Sequence, residues 1–146
     1  ETTSRYADQL NQLLATSKPT TAIDLSALQS AIARLQQQAS NYDLALRSLI
    51  TSGKTISELK AINQMLLQAE RKLLSEAGLP RRPWFKHQVY APGFYTGYGV
   101  KTMPGVREAI EEKKWAEVSE QVQVLSKTLN AFADHLEAIT RKLQSH

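Results

Sequence analysis

The sequence predicts an all-α fold: an antiparallel bundle of about four main helices, interrupted by one long irregular insertion rich in proline, glycine and aromatic residues. Three observations lead there. Apolar residues recur at helical spacing over several long stretches, and no strand-length alternation stands outside the insertion. The last of those stretches keeps a seven-residue repeat for about four heptads. Residues 78–105 hold four of the five prolines, five of the six glycines and six of the ten aromatics, so they cannot continue a helix.

Each element follows from its own pattern. Tyr6, Leu10, Leu13 and Leu14 give a first helix over residues 3–16, broken by Ser17-Lys18-Pro19-Thr20-Thr21. Asp24 is placed to cap a long second helix with the stripe Leu25, Leu28, Ile32, Leu35, Ala39, Tyr42, Leu46, Leu49 and Ile50, ended by Gly53. Thr55 with Glu58 forms a capping box for a third helix carrying Leu59, Ile62, Leu66, Ala69 and Leu73, which Gly78 and Pro80 stop. After the insertion, Thr102 can cap a short helix with Pro104 in its first turn and Val106, Ala109 and Ile110 on its apolar side. In the last helix Trp115, Val118, Val122, Leu125, Leu129, Phe132, Leu136, Ile139 and Leu143 alternate steps of three and four, the spacing of a bundle seam. Helices with one apolar stripe each bury it best against one another.

The bulk numbers set outer limits. The 146 residues form one domain, 1–146, large enough to bury roughly 70% of its unfolded surface without covalent staples. No apolar run approaches the ~20 residues that span a bilayer, so no membrane segment is expected in this chain. With no cysteine there is neither a disulfide framework nor a thiolate metal site. The chain opens on Glu1-Thr2-Thr3-Ser4 in helical pattern without an initiator methionine, the expectation for a processed or excised domain of a longer protein.

The insertion is the part that can carry function, because a loop this long persists in a compact domain when it is functional or held by its own side chains. Gln88-Val89-Tyr90 is expected to be a short extended piece within it. Trp84, Phe85, Tyr90 and Phe94 are expected to seat it on the bundle, while its arginines cap helix C-termini or pair with acids. It contains Arg81, Arg82, Lys86 and Lys101 and no acid, which equals the net charge of +4; the flanking helices are near neutral. A cationic aromatic surface of this kind points to carboxylates. Aromatics interleaved with cations also stack on single-stranded nucleic acid, but the modest charge argues against that partner.

Catalytic groups are not expected. None of His87, His135 and His146 has a second ligand at helical metal spacing, so no metal site is expected. There is no G-x-S-x-G and no phosphate-binding glycine loop, and Gly97-Tyr98-Gly99 follows no predicted strand. Glu111-Glu112 before Lys113-Lys114 reads as solvated surface.

The ordered run Gly78-Leu79-Pro80-Arg81-Arg82-Pro83-Trp84-Phe85-Lys86-His87, then Val89-Tyr90-Ala91-Pro92, Tyr98, Pro104-Gly105-Val106 and Ala109-Ile110, resembles the C-terminal domain of the glutamate carboxypeptidase II and transferrin receptor family. The resemblance implies a helical, transferrin receptor-like dimerisation domain that follows a protease domain and an apical domain. It implies a homodimer, and a parent related to zinc metallopeptidases of the carboxypeptidase-like exopeptidase class. Two zinc ions would sit in the protease domain, with a peptide as substrate, and an extracytoplasmic location is favoured. Arg82, His87, Tyr90 and Pro92 would be structural loop residues.

In the carboxypeptidase members a lysine-tyrosine dipeptide of this loop binds a carboxylate of the substrate's terminal glutamate. Tyr98 falls on the tyrosine, but Gly97 stands where the lysine would be. Losing that charge-assisted bond is worth about 1.5–3 kcal/mol, so a glutamate preference does not carry over. Lys101, three residues on, is the replacement to consider. The leading expectation is a non-catalytic domain that dimerises and lends a loop to the substrate pocket. The alternative is a free-standing helical adaptor whose basic aromatic loop binds an acidic peptide or nucleic acid.

Overall fold

The computed structural model describes residues 2–53 and 59–145. It is all-α apart from one small ribbon: helices α1 (Thr2–Ser17), α2 (Ser26–Ser52), α3 (Leu59–Ala69), α4 (Pro104–Glu111) and α5 (Trp115–Gln144), and strands β1 (Tyr90–Pro92) and β2 (Val100–Thr102). The capping-box residues Thr55 and Glu58, and His146, lie outside the described residues.

Neither α2 nor α5 contains an internal glycine or proline, and these two form the centre of the fold. Arg34 of α2 meets Asn130, Asp134 and Glu137 of α5. Further along, Ala45 clusters with Ile139 and Leu143, so the two helices run in the same direction. The sequential neighbours run against them. His135 of α5 bonds the Met65 carbonyl of α3 at 2.7 Å, while Ile62, earlier in α3, packs with the later Ile139. At the other side Gln36 of α2 bonds Ser4 near the start of α1. One core cluster joins α1, α2, α4 and the first two thirds of α5, and a second joins Ala45, Ile62, Ile139 and Leu143.

The heptad positions Val118, Val122, Leu125, Leu129, Leu136, Ile139 and Leu143 are all buried, each stabilising by roughly 1.5–3 kcal/mol relative to exposure. Trp115 and Phe132 are half-buried. The buried face of α5 is wider than one stripe, because helices pack on several of its sides: Ser126, Thr128 and Thr140 are buried too. Their hydroxyls donate to the carbonyls of Val122, Val124 and Leu136 at 2.6, 2.9 and 2.9 Å, which satisfies them inside the core.

The helix ends differ in detail from the sequence expectation. Leu25, not Asp24, takes the cap position of α2; the Asp24 carboxylate accepts the Ser26 N–H at 2.8 Å from one residue further out. Gly53 closes the helix in a left-handed conformation (φ +63°). Ile50 is exposed despite its place in the expected stripe. Beyond Ala69, α3 tightens into a 3-10 turn, Glu70–Leu73, and Leu74 is already extended, so the element stops short of Gly78. Met103 rather than Thr102 caps α4, with φ +48°, and Thr102 ends β2. The Thr102 hydroxyl accepts from the Arg107 guanidinium at 3.0 Å instead.

Candidate functional site

The insertion is tied to the bundle by backbone pairing and by a few buried side chains. Leu73 and Ser75 pair with residues 86–88, through Gln88 N–H to Leu73 O and Ser75 N–H to Lys86 O, both 2.9 Å. Residues 78–85 fold back as a closed turn: Leu79 N–H meets Phe85 O at 2.9 Å, and Gly78 supplies the left-handed corner (φ +68°). β1 and β2 then pair antiparallel with Tyr90 opposite Thr102, Ala91 opposite Lys101 and Pro92 opposite Val100. The extended piece therefore begins at Tyr90 rather than ending there.

Arg82 and Glu108 form the root of this ribbon, with side chains 4% and 6% exposed. The Arg82 Nη2 donates to Glu108 Oε2 at 2.5 Å, and its Nη1 donates to the Pro92 carbonyl. The second Glu108 oxygen accepts the Phe94 N–H at 2.8 Å. The Phe94 ring stands 5.6 Å from the Arg82 guanidinium and 5.7 Å from that of Arg81.

His87 sits beside this root. Its Nδ1 accepts the N–H groups of Val89 and Tyr90 at 3.3 and 3.2 Å, which leaves the proton on Nε2, 4.0 Å from the Glu70 carboxylate. Burial pushes the imidazole below its usual value, outweighing the attraction of Glu70. The Tyr90 ring packs 3.9 Å from the His87 ring, and its hydroxyl donates to Glu70 at 2.5 Å; that bond pushes the phenol above its usual value.

Beyond the ribbon, residues 93–99 make a tight loop, closed by Gly93 N–H to Gly99 O (2.9 Å) and Gly99 N–H to Thr96 O (3.0 Å). Gly97 provides its left-handed position (φ +57°), and Tyr98 at the tip is 103% exposed. Lys101 lies on β2, and its ammonium is held by both oxygens of Glu111 at 2.7 and 2.9 Å.

Two expectations change. Of the four aromatics expected to seat the segment, Phe85 alone is half-buried, beneath the Arg82 guanidinium, while Trp84 is 71% exposed and Tyr90 and Phe94 face solvent in part. Leu79, Val89, Ala91 and Met103 are the buried anchors instead. They are slimmer side chains, which fit under a backbone lying close to the helices. The arginines pair with acids as expected, but the lysines do so too, so the basic surface is largely neutralised within the chain. Arg81 pairs with Glu117 (2.8 Å) and Glu112 (3.5 Å), Arg82 with Glu108, Lys86 with Glu76 and Lys101 with Glu111. The carboxylates they meet are those of this chain, and the surface left over is aromatic.

Glu108 is the site residue that sequence reasoning missed. The signal was present: it lies on the apolar side of α4, with Val106, Ala109 and Ile110 buried around it. A carboxylate in that position needs a cation, and the acid-free insertion has one to offer. Among the described residues no group of three or more His, Cys, Asp and Glu side chains is placed to hold a metal ion. No described helix is long and apolar enough to cross a membrane.

Comparison with known proteins gives this geometry a family. The transferrin receptor-like dimerisation domain family matches residues 23–137. A probable glutamate carboxypeptidase of Arabidopsis thaliana is 33% identical over 114 residues, covering 73% of this chain and 16% of the relative. A probable glutamate carboxypeptidase of Arthroderma benhamiae is 32% identical over 120 residues, covering 74% of this chain and 15% of the relative. An inactive zinc metalloprotease of Schizosaccharomyces pombe is 35% identical over 63 residues, 43% of this chain and 8% of its own. The chain thus spans about one sixth of the length of the first two relatives. With the match running from α2 through most of α5 and across the whole insertion, the chain belongs to the transferrin receptor-like dimerisation domain family.

Proposed function

We propose that this chain is the helical domain through which a zinc-dependent, glutamate carboxypeptidase-like exopeptidase forms a homodimer, and that its 93–99 loop helps wall the substrate pocket. The observation that carries the reading is the exposure of aromatic side chains on a segment whose backbone is pinned: Trp84 on the 78–85 turn for the dimer, Tyr95 and Tyr98 on the tip loop for the pocket. Aromatic side chains held out by a fixed scaffold are the composition of interface centres. The relatives' names support a peptidase parent; the protease and apical domains as further partners, and two zinc ions in the protease domain, are proposed from the family resemblance alone. This chain serves there as a non-catalytic part.

Within the pocket, the Tyr98 hydroxyl is the group proposed to meet a substrate carboxylate. Lys101 is the second: it reaches that carboxylate only by releasing Glu111, which ties its service to an exchange of partners. The adaptor reading, with an acidic peptide or nucleic acid on a basic loop, loses ground because all four cations of the insertion are engaged internally.

Sedimentation equilibrium of the 146-residue chain tests the dimer: a concentration-dependent shift to twice the monomer mass is expected, and a strict monomer at ~100 µM, weaker than typical specific association, would count against it. In the full-length parent, Tyr98→Phe should raise KM for carboxylate-terminated substrates by about ten- to a hundredfold, the worth of a hydrogen bond to a charged group. Unchanged KM would remove Tyr98 from the pocket.

A further inference from the structure

The Arg82–Glu108 pair is unusual in what it touches. One guanidinium nitrogen holds the carbonyl of Pro92, and the Glu108 carboxylate holds the N–H of Phe94. These are the two backbone groups on either side of Gly93, where the chain leaves the ribbon and enters the tip loop. The chain passes close to the loop's side chains at Gly93: a Cβ there would stand 2.1 Å from the Thr96 hydroxyl and 2.8 Å from Lys101 Cγ. The pair thus grips the loop at the point from which Tyr98 is carried outward.

As a source of stability the pair is poorly made. Two ions are taken out of water, and replacing such a pair by well-packed apolar residues is often neutral or stabilising. Among the described residues the Arg82 Nε is moreover buried without a hydrogen-bond partner, a further cost. An apolar pair of equal volume could fill the space, but it could not hold the Pro92 carbonyl and the Phe94 N–H. We propose that Arg82 and Glu108 are positioning residues, which fix the root of the 93–99 loop and so the place where Tyr98 is presented. What Tyr98 then meets rests on the pocket reading above; the placement itself does not.

Amide hydrogen exchange on the 146-residue chain tests this, comparing wild type with the double variant Arg82→Met/Glu108→Leu. The expected result is that the Phe94 amide, which loses its Glu108 acceptor, exchanges about tenfold faster or more, and that the Gly93 amide, bonded to Gly99 across the loosened loop, exchanges faster with it. The α5 amides from Val122 to Leu136 should keep their wild-type rates. Loop amides as protected as in wild type would overturn the proposal, and so would loop and core losing protection together, which would make the pair a plain core element. If the double variant does not fold, Arg82→Lys decides: lysine keeps the charge opposite Glu108 but cannot also fork to Pro92. Loop protection should then fall while the thermal midpoint of the chain is nearly held, and unchanged protection would overturn the claim. Tyr98→Phe, with the loop still protected, separates the two readings. Normal KM in that variant removes the pocket role and leaves the positioning pair standing.

Discussion

Gly78→Ala measures how tightly the insertion is folded on itself. Gly78 is left-handed at φ +68°, and an added Cβ would lie 2.2 Å from the Pro83 carbonyl oxygen and 2.6 Å from its carbonyl carbon and Cα. Ordinary contact begins at 3.4 Å, so the two backbones must part by 3.4 − 2.2 = 1.2 Å. The turn between them has no slack. Leu79 is buried, its N–H bonds Phe85 O at 2.9 Å, and its carbonyl accepts the Arg82 N–H at 3.1 Å. The left-handed backbone costs an alanine about 1–2 kcal/mol, and overpacking against fixed neighbours adds about 1–3 kcal/mol. The expected loss is therefore about 2–5 kcal/mol.

Gly97→Ala supplies the control, because Gly97 has φ +57° and nothing within 4 Å of the added Cβ. Only the backbone cost of about 1–2 kcal/mol applies there. In urea titrations followed by far-ultraviolet circular dichroism, with a slope near ~1.5 kcal/mol per M, the Gly78 variant should lose roughly 2 M of midpoint and the Gly97 variant about 1 M. Equal losses would show that the 78–85 turn yields to the methyl group, and the account of a rigid, self-closed insertion would be refuted.

Two further outcomes follow from the same geometry. His87 is held below its ordinary pKa of 6.5 in the folded state, so the unfolded chain binds the extra proton first, and its contribution is complete above 6.5 and lost as pH falls below it. His87→Asn, which retains an acceptor for the Val89 and Tyr90 N–H groups, should flatten the loss of stability between pH 7 and pH 5 in denaturant titrations; an unchanged slope would assign it to other groups. Self-association should survive added salt, because the exposed face is aromatic and the cations beneath it are internally paired: sedimentation at about 0.1 M and 1 M salt, where the screening length falls from ~10 to ~3 Å, should give similar dissociation constants, and a steep weakening would indicate an ionic interface.

The helices were legible because their apolar periodicity records burial directly. The heptad from Val118 to Leu143 could be read off α5 without knowing its neighbours. What periodicity could not show was that several helices pack on α5, so the burial of Ser126, Thr128 and Thr140 went unseen; polar residues there are tolerated only because each hydroxyl turns back to a carbonyl one turn earlier. Caps were displaced by a residue because cap identity depends on backbone dihedrals such as the φ +48° of Met103, an apolar residue that carries no capping signal. In the insertion, residue counts identified an ordered and unusual segment but not its orientation. Size and apolarity suggested that Trp84 and Phe94 point inward, whereas the buried apolar side chains of the insertion are Leu79, Val89, Ala91 and Met103.

The charge count had a similar limit. Four cations and no acid in one segment predict a basic surface only when that segment is considered apart from what it packs on. Residues 106–117 supply Glu108, Glu111, Glu112 and Glu117, and each takes part in a bond to Arg81, Arg82 or Lys101. The charges therefore serve to join the insertion to α4 and the start of α5, and they are distributed along it from the 78–85 turn to β2. With its ionic groups spent on attachment, the insertion has aromatic rings and two loop glycines left to present. On the proposed reading, recognition at this face would come from shape, stacking and single hydroxyls such as that of Tyr98, which demand a fixed backbone. The Arg82–Glu108 root and the exposed tip are in that sense two ends of one arrangement: the first removes freedom from the chain so that the second can be placed.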